Sequence, residues 1–79
     1  MNKLRDWRRQ NKFTLEALAE QLGVATGSLS RIERLEQWPD REFFRRVSVL
    51  TRGTVTANDF LQEKYGLQYS AETLKNGGI

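Results

Sequence analysis

Apolar residues recur at helical spacing along most of this chain. Leu4 and Trp7 lie three apart on one face of a first helix, which Asn11 and Lys12 close. Thr14 is a good N-cap for a second helix, in which Leu15, Leu18, Ala19 and Leu22 follow the i, i+3, i+4, i+7 template. Gly23 then stops it, because glycine takes the left-handed cap conformation without steric cost. A third stripe, Leu29 and Ile32 preceded by Val24, begins only a few residues later. So short a turn forces two helices to cross steeply, as in a helix-turn-helix. Pro39 suits the approach to a helix, with Asp40 as N-cap, Phe43 at the third helical position, and Phe44, Val47 and Leu50 as a buried stripe ending at Arg52-Gly53. Thr56 caps a last short helix, with Asp59 in the place of a capping-box acid and Phe60 and Leu61 packing inward. The pattern predicts an all-α fold, a compact five-helix bundle containing a helix-turn-helix over residues 1–62. Residues 63–79 form a C-terminal tail, either a dimerisation element or weakly ordered, with Ser70 to Thr73 as one helical turn.

Composition narrows the chemistry. At 79 residues the chain allows one domain. It contains no cysteine and no histidine, which removes disulfides, the usual zinc ligands, thiol nucleophiles and the imidazole base together. The acids are scattered over helices and no phosphate-cradling glycine loop is present, so an enzyme is not expected, nor a cofactor, a metal or a small-molecule effector. With no signal peptide and no apolar run of membrane-spanning length, a cytoplasmic (nucleoid-associated) location without membrane contact is expected.

The formal charge of +3 says less than its placement. Lys3, Arg5, Arg8, Arg9 and Lys12 stand against Asp6 alone, and six arginines between Arg31 and Arg52 stand against Glu33, Glu36, Asp40 and Glu42. The C-terminal part leans acidic. Such segregation fits one basic face for nucleic acid, and equally an ordinary solvated surface.

Specific residues add a resemblance. Leu4-Arg5 and Trp7-Arg8, then Phe13-Thr14-Leu15-Glu16-Ala17-Leu18-Ala19 with Leu22-Gly23-Val24, then Ser28-Leu29-Ser30-Arg31-Ile32-Glu33-Arg34, stand in order before Pro39, Phe44, Val47, Leu50 and Thr56 to Leu61. In that order and spacing they resemble the Xre/Cro family of phage and bacterial repressors, over about three quarters of the chain. The resemblance implies a repressor-like bundle and a sequence-specific transcriptional regulator that binds double-stranded DNA with its third helix in the major groove.

It also implies the site. Thr26, Gly27, Ser28, Ser30 and Arg31 fall on base-reading positions. Arg31 is the sharpest of them, because a guanidinium pairs bidentately with guanine O6 and N7, although an exposed arginine can equally serve a surface ion pair. Phosphate contacts fall to Thr14 and Leu15 at the start of the second helix and to Asp40 and Arg41 at the start of the fourth, where free amides suit anions, with Arg9, Lys12, Arg34 and Arg41 adding charge. Arg8 and Glu33 match a pair that forms an internal salt bridge in many relatives. Phe60, Leu61, Tyr65, Leu67 and Tyr69 are the candidate surface for a weak homodimer. The alternative for Phe60 and Leu61 is simply to close the core.

The sequence departs from the family pattern at four places. Leu15 stands where a glutamine usually holds a phosphate. Ala25 replaces a capping hydroxyl, so that Thr26 is expected to take over the cap and shift the helix start to Gly27. Gly27 removes a side chain from a base-reading position. Leu35 replaces a glycine and suggests a differently shaped turn with Trp38 packed on it. These losses keep a rival reading open, a protein-interaction module such as an antitoxin or anti-repressor with another protein as its partner.

Overall fold

The computed structural model describes residues 2–66. Among them the chain forms α1 (Asn2–Gln10), α2 (Leu15–Leu22), α3 (Thr26–Glu33), α4 (Arg41–Leu50) and α5 (Ala57–Tyr65), with no strand. The all-α five-helix bundle expected from the periodicity is the observed fold. The last helix runs to Tyr65, so residues 63–65 belong to the bundle rather than to a tail. Leu67, Tyr69 and the turn expected from Ser70 to Thr73 lie outside the described residues.

The helix starts follow local chemistry. Thr14 Oγ1 accepts the Ala17 amide at 3.0 Å, and Asp40 Oδ1 accepts the Phe43 amide at 2.9 Å. Before α5, Asp59 reaches back to accept the Thr56 amide at 2.8 Å. The start of α3 differs from expectation. Ala25 is the N-cap, with extended backbone (φ −69°, ψ 150°) and no side-chain bond, and Thr26 is already helical. Position wins over chemistry here. The turn from Gly23 through Val24, which packs on the core, leaves Ala25 as the residue whose carbonyl accepts the Leu29 amide at 2.9 Å.

The helix ends share one device. After α1, α2, α3 and α4 an amide bonds the carbonyl five residues back, in Phe13 to Arg8, Val24 to Ala19, Glu36 to Arg31 and Gly53 to Ser48. This is the Schellman closure, which needs a left-handed residue just before the donor. Glycine fills that place only after α2, where Gly23 has φ 71°. Lys12, Leu35 and Arg52 fill the other three, with φ of 59°, 59° and 55°. Leu35 therefore makes the same turn a glycine would, contrary to the altered shape expected from its side chain. The side chain itself packs partly against the core, which offsets the cost of the conformation.

The core gathers Leu4, Leu18, Ala19, Leu22, Leu29, Ile32, Phe43, Val47, Val55 and Phe60. Ala19 is small where α2 and α3 make their most extensive helix pairing. Val55, outside every helical stripe, is fully buried between α4 and α5. Buried Thr51 holds it there, donating its hydroxyl to the Val47 carbonyl at 2.7 Å and accepting the Val55 amide at 3.0 Å. Trp38 lies at the edge of an aromatic group, its ring centroid 5.7 Å from Phe44, 6.2 Å from Phe60 and 6.0 Å from Tyr65. Those rings, more than the Leu35 turn, are what Trp38 meets.

Candidate nucleic-acid interface

The third helix is held from behind. Leu29 and Ile32 insert fully into the core, and α3 packs on both α2 and α1. At its C-terminal end Glu33 is buried, and its carboxylate receives Arg8 Nε at 2.8 Å and Nη2 at 3.2 Å. Arg8 also reaches the Phe13 carbonyl at 3.4 Å, so one guanidinium joins α1, the turn after it and α3. Three apolar or ion-paired anchors on an eight-residue helix leave little freedom for its outer face to rotate.

That outer face carries Thr26, Gly27, Arg31 and Arg34, all exposed, with Ser28 and Ser30 half-buried along its flanks. Its two arginines are each engaged within the chain. Arg31 donates Nε to Gln37 Oε1 at 3.0 Å and Nη2 to Ser28 Oγ at 3.4 Å. Arg34 donates Nη1 to Ser30 Oγ at 2.6 Å and pairs through Nε with Glu36. The serines expected to read bases therefore brace arginines in the free protein. Gln37 and Glu36 were not marked by the sequence. Both follow the left-handed Leu35, and only that turn folds them back beside α3.

The cations expected at phosphates differ from their neighbours Arg45 and Arg46. Arg9, Lys12 and Arg41 are exposed and form no ion pair with a described residue. Arg45 and Arg46 instead share Glu42, whose carboxyl is pulled down to about 2 by hydrogen bonds from Arg45 first and Arg46 second. Arg46 also donates Nη1 to the Leu22 carbonyl at 3.4 Å, closing the end of α2 from outside. At the start of α2, Thr14 is exposed and already accepts an amide, while the Leu15 side chain packs against the core and leaves its backbone to face outward chemistry.

The candidate dimer residues separate as well. Phe60 is fully buried among Phe43, Phe44 and Trp38, so it belongs to the core and cannot also form a surface. Leu61 is half-buried, and Tyr65 is 57% exposed. Trp38, at 39% exposed, stands next to Tyr65 with Lys64 Nζ 5.4 Å from its ring centroid. Periodicity had no means of finding Trp38, because it lies in the loop between α3 and α4.

With this geometry in place, comparison with known proteins decides the family. The chain matches the helix-turn-helix family over residues 4–55, most of the described structure. It belongs to that family. It is 32% identical over 71 residues to the HTH-type transcriptional regulator SinR of Bacillus subtilis (strain 168), a match covering 89% of this chain. The chain spans 62% of the length of that relative. No solved structure matches it. The helix-turn-helix family match agrees with the resemblance carried by Leu18-Ala19, Gly23-Val24 and Leu29 to Arg34. Among the described residues no helix is long and apolar enough to cross a membrane.

Proposed function

We propose that this protein is a sequence-specific DNA-binding transcriptional regulator that places α3 in the major groove. The observation that carries the reading is the two-sidedness of α3. Its inner side is fixed by Leu29, Ile32 and the Arg8–Glu33 pair, while its outer side offers Arg31 and Arg34 on a short, uncrowded surface. A rigid helix with guanidinium groups outward is what base-edge reading requires. Arg9, Lys12 and Arg41, exposed and without ion-pair partners among the described residues, supply charge for phosphates. The α3 N-terminus lacks a side-chain cap, which leaves its first amides to an anion or to water. The relative named as a transcriptional regulator points the same way.

A second copy of the chain completes the reading. Trp38 and Tyr65 form an aromatic edge that, with half-buried Leu61 on α5, suits a small, weak homodimer interface, with Phe60 behind it as core. Two copies would then set two α3 helices on successive half-sites. The rival reading, in which the fold serves only to bind another protein, has no comparable observation in its favour.

Fluorescence anisotropy tests the proposal, using the duplex that flanks the protein's own gene and a scrambled duplex at two salt concentrations. Tight binding to the native duplex alone, weakened in Arg31→Ala, is the expected result. Equal, salt-sensitive binding to both duplexes would leave only a basic domain without sequence preference.

A further inference from the structure

We infer that Gln37, in the turn after α3, is a positioning residue that fixes Arg31 for end-on reading of a guanine. The inference rests on the DNA-binding reading above and names the base that site takes.

The turn ties Gln37 to Arg31 twice. Leu35 in its left-handed conformation brings the chain back, so that the Glu36 and Gln37 amides both donate to the Arg31 carbonyl, at 2.8 and 3.4 Å. From this fixed, half-buried position the Gln37 side chain accepts Arg31 Nε at 3.0 Å. Ser28 Oγ lies 3.4 Å from Nη2. Arginine has five N–H donors in a planar fork. Nε and Nη2 together form its side edge, and Gln37 closes that edge at Nε to any second acceptor. Paired acceptors must then meet the end-on edge, one hydrogen from each terminal nitrogen, where Nη1 has no hydrogen-bond partner among the described residues.

Gly27 keeps that edge open. A Cβ placed on Gly27 would have Arg31 Nη1 as its nearest neighbour, at 3.6 Å. Any side chain at this position would begin in van der Waals contact with that nitrogen. Glycine leaves the approach clear, so the missing side chain becomes part of the site. Two parallel N–H groups match the paired acceptors O6 and N7 of guanine. Adenine offers N7 beside an amino donor and cannot accept both. An arginine that is already held also loses less freedom on binding than one that must be ordered at the DNA.

The test begins with selection of tight binders from a random duplex pool by the wild-type chain. Anisotropy titrations then use the enriched duplex, with each invariant guanine replaced in turn by 7-deazaguanine, which lacks the N7 acceptor. One replacement should weaken wild-type binding by about fivefold or more, and Arg31→Ala should be insensitive to it. Gln37→Ala should bring the same penalty below about twofold, from the range usual for a bidentate arginine pair, with no change in salt dependence. Gln37→Glu keeps the acceptor and should restore the penalty, whereas Gln37→Asn, one methylene shorter, should not. Thermal unfolding of each variant separates this effect from loss of fold. A full 7-deazaguanine penalty in both Gln37→Ala and Gln37→Asn overturns the inference and leaves the proposed function standing. A wild-type selection that enriches no motif overturns the proposed function and this inference with it.

Discussion

Arg8 and Glu33 meet side-on, with two N–H groups on two carboxylate oxygens at 2.8 and 3.2 Å, and only 15% and 7% of their side chains exposed. Twenty-five residues apart in sequence, they fasten α1 to the end of α3. A buried pair of this kind adds little over an apolar pair of equal volume, but losing one partner strands the other's charge. Arg8→Ala should therefore lower stability by about 3 kcal/mol. For a domain of this size that is a fall in Tm of roughly 12 to 24 °C. The double variant Arg8→Met with Glu33→Leu should recover much of that loss. Denaturant unfolding of the single and double variants checks both expectations, and an unchanged midpoint in Arg8→Ala would show that the bridge contributes nothing.

The helix ends give a second prediction. Arg52 is exposed, left-handed and without an ion pair to a described residue, so little side-chain burial offsets its conformation. Arg52→Gly should relieve about 1 kcal/mol of steric cost, reduced by the greater entropy that glycine gives the unfolded chain. A net gain of about 0.5 kcal/mol, or a Tm rise of 2 to 4 °C by the roughly 4–8 °C per kcal/mol usual for small domains, should be measurable by calorimetry. Leu35→Gly relieves the same conformation but also removes a side chain packed partly on the core. Its Tm should fall below that of Arg52→Gly, and the reverse order would mean that Leu35 packing is negligible.

Much of this architecture was legible because it follows local rules. Thr14, Asp40 and Asp59 read as caps and act as caps, and Leu18, Ala19, Leu22, Leu29 and Ile32 read as core and are buried. What escaped depends on chain direction after a helix ends. Leu35, with a side chain that disfavours φ > 0, gave no sign of the turn it makes, and the positions of Gln37 and Glu36 beside α3 follow from that turn. Val55 escaped for a related reason, being a single buried residue held by a threonine hydroxyl outside any periodic stripe. The candidate base-reading residues came from family pattern, while their mutual bracing was visible only in three dimensions.

Asp59 links the two ends of the bundle and gives a pH dependence. Its carboxylate accepts Lys3 Nζ at 3.0 Å and the Thr56 amide at 2.8 Å, and nearby Glu63 accepts the Asn2 and Lys3 amides at the start of α1. Burial pushes the Asp59 carboxyl up, but the bonds from Lys3 and Thr56 outweigh it and hold the group below its ordinary value. A carboxyl lowered in the folded state stabilises that state fully above its unfolded pKa, near 4, and the contribution is lost as pH falls through the folded value. Tm should therefore drop below about pH 4 more steeply in the wild type than in Asp59→Asn, which keeps an acceptor for Thr56 but carries no charge. Parallel Tm curves for the two proteins between pH 2 and 6 would remove Asp59 from the acid response.

The pair formed by Arg34 and Glu36 has a different significance, because both side chains are more than half exposed. An exposed ion pair contributes about 0 to 1 kcal/mol, so its purpose is not stability. If Arg34 contacts a phosphate, Glu36 must first give up the guanidinium, and its charge then repels the backbone it lies beside. Glu36→Gln should lower Tm by no more than about 8 °C, the most that about 1 kcal/mol can move it in so small a domain. The same change should strengthen DNA binding several-fold at low salt and steepen the slope of log affinity against log salt by up to about 0.9, the contribution of one more neutralised phosphate. Arg34→Ala should weaken binding with the opposite change in slope. Ser30 would then lose the guanidinium it now accepts from, while Arg31 keeps its own bonds to Gln37 and Ser28. Titrations of the three proteins across salt concentration decide the matter. An unchanged slope in Glu36→Gln would place Arg34 away from the phosphates and leave the pair as an ordinary surface contact.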